Sequence, residues 1–464
     1  MTVLSGDDFK QEFNEKKTIL LEWLQHPLTT KALQMTISSP PGVFDIIPND
    51  SKDEWKSSHL WNYLESIARR LAFTYGYSEI RTPLFERTEL FQRGVGETTD
   101  IVSKEMYTFL DKGNRSMSLR PEGTAPVMRA FIEHQLEQQG SIQKLFYIAP
   151  MFRYERAQAG RYRQHHQFGV EAIGSTAPEQ DAELIDLLYT FYRRLGLTHL
   201  ELHLNSIGDI ACRIAYRTAL REYLKGFFDK LSIESQNRFQ VNPMRILDSK
   251  DPGDRAILQK APSILNFLNP ECSDHFESVK MRLSELSIPY TVNSQLVRGL
   301  DYYNKTVFEV VAGELGAQNS IGGGGRYDGL LKQLGGPDLP TIGFGTGLER
   351  VLQTLLKQKV LTPSATGPLL QLIALGEEAK RYCFLLLHQL RQQDIPASLD
   401  FSGRKLGKLL QAAEQQKISY VAIIGENELR TQELDLKQME TNSVIRLRLE
   451  QLAPYLLRTE VIAT

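Results

Sequence analysis

Cysteine is scarce. Cys212, Cys272 and Cys383 are the three among 464 residues, and no two stand at metal-finger spacing. That excludes a disulfide scaffold and a zinc ribbon, and it fits buried thiols in a reducing compartment. Long apolar runs are missing too, since no stretch approaches the roughly 20 residues that span a bilayer. Asp7, Asp8, Glu12 and Glu15 interrupt the N-terminus, which excludes a secretory signal and argues against a mitochondrial transit peptide. The expected compartment is therefore the cytoplasm, with no membrane partner. A formal net charge of -2 leaves no global basic field, so contact with nucleic acid must rest on local patches. Repeats of short period and low-complexity tracts are absent. What is present, 41% hydrophobic and 24% charged residues, is ordinary globular composition with room for two or three domains.

The texture of the chain changes several times. Residues 1–34 suggest a short amphipathic helix around Phe9, Phe13, Leu20 and Leu24 that nothing downstream continues. With Met35 opening the next stretch, this segment reads as an appended arm or as an artefact of start-site choice. Trp55, Leu60, Leu64, Ile67 and Leu71 recur at helical spacing. Strands and helices then mix without a βαβ repeat, which points to an α+β core around a mostly antiparallel sheet. About 206–287 the text turns helix-rich and charged, as an insertion would. The Pro, Ser and Gly around 363–368 mark a linker. After it, "LLQLIAL", "IPASLDF" and "YVAIIG" alternate with helices as a compact α/β unit, joined by the strand candidates "LDLKQM" and "SVIRLRL". The expected domains are an extension at 1–34, a core at 35–362 and a C-terminal domain at 367–464.

Chemistry concentrates in five places. "MFRYERAQAGRYRQHHQFGVEAIG" (151–174) sets Arg153, Arg156, Arg161 and Arg163 in a hairpin. Phe168, Val170 and Ala172 alternate with Gln167, Gly169 and Glu171, so one strand face is apolar and the other is Gln-Gly-Glu. A solvated hairpin would account for one arginine. Four, beside a glycine flanked by hydrogen-bonding groups, favour an anion-handling site next to a small-molecule pocket. "SLRPEGTAPVMRAFIEH" opens a helix at which Thr124 fits the N-cap and Pro126 the first turn. A capped structural helix leaves Arg120 and Glu122 unexplained. "LVRGLDYYNKTVFEVV" leads from Arg298 into Tyr302 and Tyr303, which are either core aromatics or pocket residues. "SIGGGGRYDGLL" is not a P-loop, because no Gly-Lys-Ser/Thr follows; its glycines suit a turn or backbone pressed against a ligand. "TIGFGTGLERVL" spaces Gly343, Gly345 and Gly347 at period 2, a bare strand face that could floor a planar base, with Glu349 and Arg350 opening a helix.

Together these stretches resemble the bacterial-type histidyl-tRNA synthetases, a class II aminoacyl-tRNA synthetase family. "GYSEIRTPLFE" resembles class II motif 1, the 151–171 stretch motif 2 and "GFGTGLERVL" motif 3, while "LVRGLDYYNKTVFE" and "GGGGRYDGLL" resemble the two histidine-specific motifs. The resemblance runs from about Pro41 to the C-terminus. It implies a class II antiparallel-sheet catalytic core with a helical insertion, plus a C-terminal α/β anticodon-binding domain. It also implies activation of L-histidine with ATP and Mg2+, transfer to tRNA(His), and a homodimer. Arg153 and Arg298 would be catalytic and, with Arg350, would bind ATP. Glu122, Gly123, Thr124 and Gln167 would surround the substrate amino group, and Glu171 and Tyr303 would read the imidazole. Tyr302 and Tyr327 would line the pocket, and Arg156 and Gln158 would touch the tRNA acceptor end. No metal ligand is assigned. Ala157 and Ala159 depart from the family's usual Pro and Lys in that loop. Two rivals remain: the non-catalytic regulatory paralogue of ATP phosphoribosyltransferase, and a tRNA- or histidine-sensing module without chemistry.

Overall fold

The computed structural model describes residue 17 and residues 37–96, 99–155, 160–313, 320–364 and 367–460. The N-terminal arm, and Arg156 and Gln158 of the hairpin loop, lie outside the described residues apart from Lys17. The chain divides into two compact units, 1–46 with 64–360 and 47–63 with 361–464, and the boundary falls inside the helix Ser58–Thr74. That helix carries the predicted apolar stripe: Leu60, Leu64 and Leu71 are fully buried, with Ala68 rather than Ile67 completing it.

Along the first unit the strands are β1 (Ser78–Glu79), β2 (Phe85–Arg87), β3 (Thr108–Leu110), β4 (Ser116–Leu119), β5 (Gln143–Phe152) and β6 (Gln164–Ile173). There follow β7 (Leu200–Ser206), β8 (Thr291–Val292), β9 (Asn304–Ala312), β10 (Ser320–Arg326) and β11 (Thr341–Gly347). Eight of them form one sheet in the order β1-β5-β6-β11-β10-β9-β7-β8. Its interior pairs are antiparallel and only the two edge pairs, β1/β5 and β7/β8, are parallel. Strands β2, β4 and β3 make a small antiparallel sheet.

Alternation in β6 does what its period requires. Phe168 is fully buried on one face, edge-on to Phe146, Phe191 and Phe344 at 5.3–6.2 Å, under the helix Pro178–Arg194. On the other face, register places Tyr147, Gly169, Gly345, Gly323 and Glu309 in one row across five strands. The four consecutive glycines are not a turn. They lie within β10, where a Cβ on Gly324 would meet the Gly343 carbonyl and one on Gly325 the Thr306 carbonyl, so close neighbouring backbone demands them.

Between β7 and β8 the predicted insertion is helical: Ile210–Lys225, Ile233–Val241, Pro252–Leu258 and Pro270–Glu285. Asp209, Ser232, Asp251 and Asn269 cap them in turn by accepting from backbone N–H groups. In the second unit β12 (Leu370–Ala374), β13 (Ala397–Leu399), β14 (Tyr420–Ile424), β15 (Glu433–Gln438) and β16 (Val444–Arg448) form a mixed sheet ordered β13-β12-β14-β15-β16. Its apolar core includes Leu372, Leu390, Ala422 and Leu436.

Candidate active site

The polar face of the large sheet holds two adjoining regions. The first is an open cavity lined by Arg153, Arg161, His165, Gln167, Arg298 and Arg350 together with Gly323, Gly345 and Gly347. Arg153 leaves the end of β5 and is anchored by Nε donating to the Pro121 carbonyl at 2.8 Å. Arg350, in the first turn of the helix Leu348–Lys357, donates from Nε to the Gly160 carbonyl at 2.9 Å and from Nη1 to the Ser320 carbonyl at 2.7 Å. Burial, then the neighbouring Arg161, pulls the Arg350 guanidinium below its ordinary range. Arg298 pairs with Glu309 at 2.7 Å, and Ser320 Oγ donates to the same carboxylate oxygen at 2.8 Å. Burial opposes the Arg298 charge and Glu309 more than offsets it. His165 is held well below the usual imidazole range by burial and then by Arg153, so it is neutral at physiological pH.

The second region is closed. Glu171 is fully buried and accepts from Thr124 Oγ1 at 2.8 Å, from Tyr147 OH at 3.4 Å and from Tyr327 OH. Burial pushes its carboxyl up to about 8 even though the Tyr327 and Thr124 bonds favour the charge. Glu122 is raised for the same first reason. Tyr302, Tyr303 and Tyr327 meet as a ring cluster with centroids 4.7–6.1 Å apart. Gln167 Oε1 is buried without a partner among the described residues, an acceptor awaiting a donor.

Several readings of the sequence change here. Thr124 is not the N-cap. The helix Thr124–Glu133 starts after Gly123, and Glu122 caps it, accepting from Thr124 N at 2.8 Å and Ala125 N at 2.9 Å. That frees the Thr124 hydroxyl for Glu171. Gly169 does not face a ligand directly, because a Cβ there or on Gly123 would strike the Tyr147 ring. Likewise Gly343 makes room for Glu171 and Tyr327, and Gly345 for Gln167; only Gly347 of that row lies open. Arg163 is turned aside, over the Tyr154 ring at 4.2 Å. Arg120 holds the Thr82 and Pro150 carbonyls, and Arg326 is buried against Asp181. Sequence reasoning missed Tyr147, His165 and Glu309. The missed signal for Glu309 is its period-2 position in "TVFEVV", an acid among β-branched residues.

These two regions, one of buried carboxyls and phenols and one of guanidiniums, lie within the stretch that a family model matches. The histidyl-tRNA synthetase model covers residues 45–351, and an anticodon-binding-domain model covers 370–459. The chain belongs to the histidyl-tRNA synthetase family. It is 65% identical over 422 residues, 91% of this chain and 100% of the relative, to the histidine–tRNA ligase of Protochlamydia amoebophila (strain UWE25). Apo histidyl-tRNA synthetase of S. aureus superposes with a TM-score of 0.76 at 38% identity, covering 91% of this chain and all of that one. A Bacillus halodurans chain described as an ATP phosphoribosyltransferase regulatory subunit/histidyl-tRNA synthetase shares the fold at 20% identity, TM-score 0.62, over 84% of this chain and 99% of its own. As a histidyl-tRNA synthetase the chain is an aminoacyl-tRNA synthetase, a ligase with ATP as a substrate. Among the described residues no helix is long and apolar enough to cross a membrane.

Proposed function

We infer that this ligase activates L-histidine with ATP to histidyl-adenylate and transfers the histidyl group to the 3' end of tRNA(His). The observation that carries this reading is the adjacency of a buried Glu171–tyrosine cluster and an arginine-lined cavity, with Arg298 beside both. Glu171 and Tyr303 read the two imidazole nitrogens. A carboxyl poised near 8 meets an imidazole of ordinary pKa near 6.5 with one proton to share, so histidine enters without adding net charge to a dry site. A site built to hydrogen-bond both nitrogens rejects apolar analogues strongly. Glu122, Thr124 and Gln167, beside Gly123, receive the substrate ammonium, and Tyr302 and Tyr327 wall the ring.

Activation is in-line attack of the histidine carboxylate on the α-phosphorus, with pyrophosphate leaving. Two anions must approach, and Arg153 and Arg298 supply fixed positive charge at that point while Arg350 holds the outer phosphates. In the second step a ribose hydroxyl of the tRNA attacks the histidyl carbonyl and AMP leaves. Arg156 and Gln158 contact the acceptor end in this reading. Magnesium would accompany ATP and would neutralise part of its phosphate charge. Glu309 is tied to Arg298, whereas Glu349 uses Oε1 on His166 at 2.8 Å and 3.0 Å and keeps Oε2 buried without a partner among the described residues, so Glu349 would be the carboxylate to face the ion.

The reading extends to a homodimer in the cytoplasm, to a catalytic domain at 35–362 with its insertion at 206–287, to an extension at 1–34 and to an anticodon-binding domain at 367–464. Histidine-dependent ATP–pyrophosphate exchange tests the core of it. A purified protein that binds tRNA or histidine but exchanges no pyrophosphate would be the sensing module or the regulatory paralogue.

A further inference from the structure

Beside Arg298 lies a second, smaller cavity, walled by Arg213, Arg217, Arg245, Asn242, Asp301 and Tyr303. Arg213 and Arg217 come from the first insertion helix, Ile210–Lys225, and stand one turn apart on one side of it. The charges in this cavity do not balance. Arg298 has Glu309 at 2.7 Å, and Arg245 has Asp301 at 3.1 Å. Arg213 uses Nη1 on the Tyr303 carbonyl at 3.0 Å, and its Nε is buried without a partner. Arg217 has neither a hydrogen bond nor an ion pair among the described residues, and its Nε is buried as well. Two guanidiniums thus share a confined space without an ion pair of their own among the described residues, Asp301 and Asp209 acting on Arg213 only from a distance. Burial, then the positive Arg217, draws the Arg213 charge below its ordinary range.

Buried charge is ordinarily paired, because an uncompensated ion out of water is strongly unfavourable. Two planar forks with unused N–H groups suit a tetrahedral oxyanion better than a carboxylate, which a single fork would satisfy. We propose that Arg213 and Arg217 form an anion site that takes a phosphate group, and that this phosphate belongs to the tRNA acceptor strand next to the nucleotide being charged. The inference rests on the ligase reading above. The 3'-terminal ribose must reach the histidyl carbonyl beside Arg298, and Arg298 and Tyr303 are walls of the cavity in question, so the adjoining backbone phosphates arrive there. Free orthophosphate offers the same chemistry and is the alternative source.

The test uses the full chain, wild type, Arg217→Gln and Arg217→Lys. At constant ionic strength, orthophosphate raises the wild-type melting temperature, and Arg217→Gln loses part of that shift while Arg217→Lys keeps most of it. In aminoacylation, Arg217→Gln raises the KM for tRNA(His) about tenfold, as expected on losing a phosphate contact, and lowers the log–log salt slope of that KM by about one. Histidine-dependent pyrophosphate exchange stays at the wild-type level, because neither arginine touches histidine or ATP. An orthophosphate shift lost in Arg217→Gln with an unchanged tRNA KM overturns the RNA source and leaves free phosphate as the ligand. An equal orthophosphate shift in all three proteins, with equal tRNA KM, overturns the site. Absence of exchange in the wild type would overturn the ligase reading instead, whatever the phosphate titration gives.

Discussion

Where the eight-stranded sheet and its flanking helices bury Glu122, Glu171 and Glu349, the five-stranded sheet of the second unit buries leucine, isoleucine and alanine. Among the described residues of 367–460 the buried polar side chain is Gln371, and it is satisfied by Ser398 at 2.7 Å. Residues 367–460 are assembled as stability alone would assemble them. The first unit carries Glu122 and Glu171, whose burial raises their pKa and weakens the empty fold, an arrangement that makes sense where a ligand supplies the missing partner. Among the described residues, the carboxyls raised in this way lie in the first unit, where substrates are expected.

The sharpest way to break this contrast is Arg298→Ala. Removing one oriented charge from the meeting point of two anions should lower histidine-dependent pyrophosphate exchange by about 100-fold or more, roughly 3 kcal/mol of barrier. Melting temperature should change little. Near-normal exchange would remove Arg298 from the chemistry.

Glu171→Gln probes the buried carboxyl itself. It should raise the KM for histidine by roughly tenfold or more while leaving that for ATP near normal, since the amide keeps an acceptor oxygen but loses the exchangeable proton and the charge that the carboxyl offers the imidazole. Equal damage to both constants would make Glu171 structural. The same variant tests the cost of burial. Because the folded pKa, about 8, lies above the ordinary 4.5, the native state holds this proton more tightly than the unfolded chain. That stabilising contribution is complete below about 4.5 and is lost as pH rises through about 8. The ligand-free wild type should therefore lose melting temperature between those values, and Glu171→Gln should lose less.

Ending the chain at Pro363 separates the units. The shortened protein should keep part of its pyrophosphate exchange but lose roughly tenfold or more in kcat/KM for tRNA charging, with a larger loss at high salt. Its mass in solution must be measured alongside, because a dissociated dimer would confound the result. A dimeric shortened protein that charges tRNA normally would remove the anticodon-binding role from 367–464. The smallest effect is expected from starting at Met35: melting temperature and aminoacylation rate unchanged. A clear drop in either would give the arm a docked role.

Legibility in the sequence followed the range of the interactions. The Gln167–Glu171 face was readable because alternation is a property of neighbours, and so were the bare row of β11, the helical insertion and the strand–helix alternation after 367. Tyr147 was not, because its place under Gly169 depends on the register of β5 against β6. The role of Gly169 was misread with it. Four glycines in β10 read as a turn or a ligand contact because composition cannot show which backbone lies on either side. Arg326 stood beside pocket residues in sequence, yet its partner Asp181 is 145 positions away. Thr124 looked like a cap because its type is right, and only the two bonds made by Glu122 show which side chain holds the helix end.

The Asp181 carboxylate has a kinetic consequence. It receives Arg326 from 145 residues downstream and His275 from 94, and the whole insertion lies within the longer span. Loop-closure entropy grows only with the logarithm of length, so each doubling of that span costs about 0.6 kcal/mol and the fold tolerates its helical guest at equilibrium. Speed is another matter, because distant pairings form slowly. Until β10 brings Arg326, the acid at the start of the helix Pro178–Arg194 has no guanidinium to meet. The same carboxylate waits for His275 from the guest, so closing the sheet and docking the insertion converge on one late event. During synthesis that event cannot be complete until the ribosome has passed β11, which lies between β6 and β10 in the sheet.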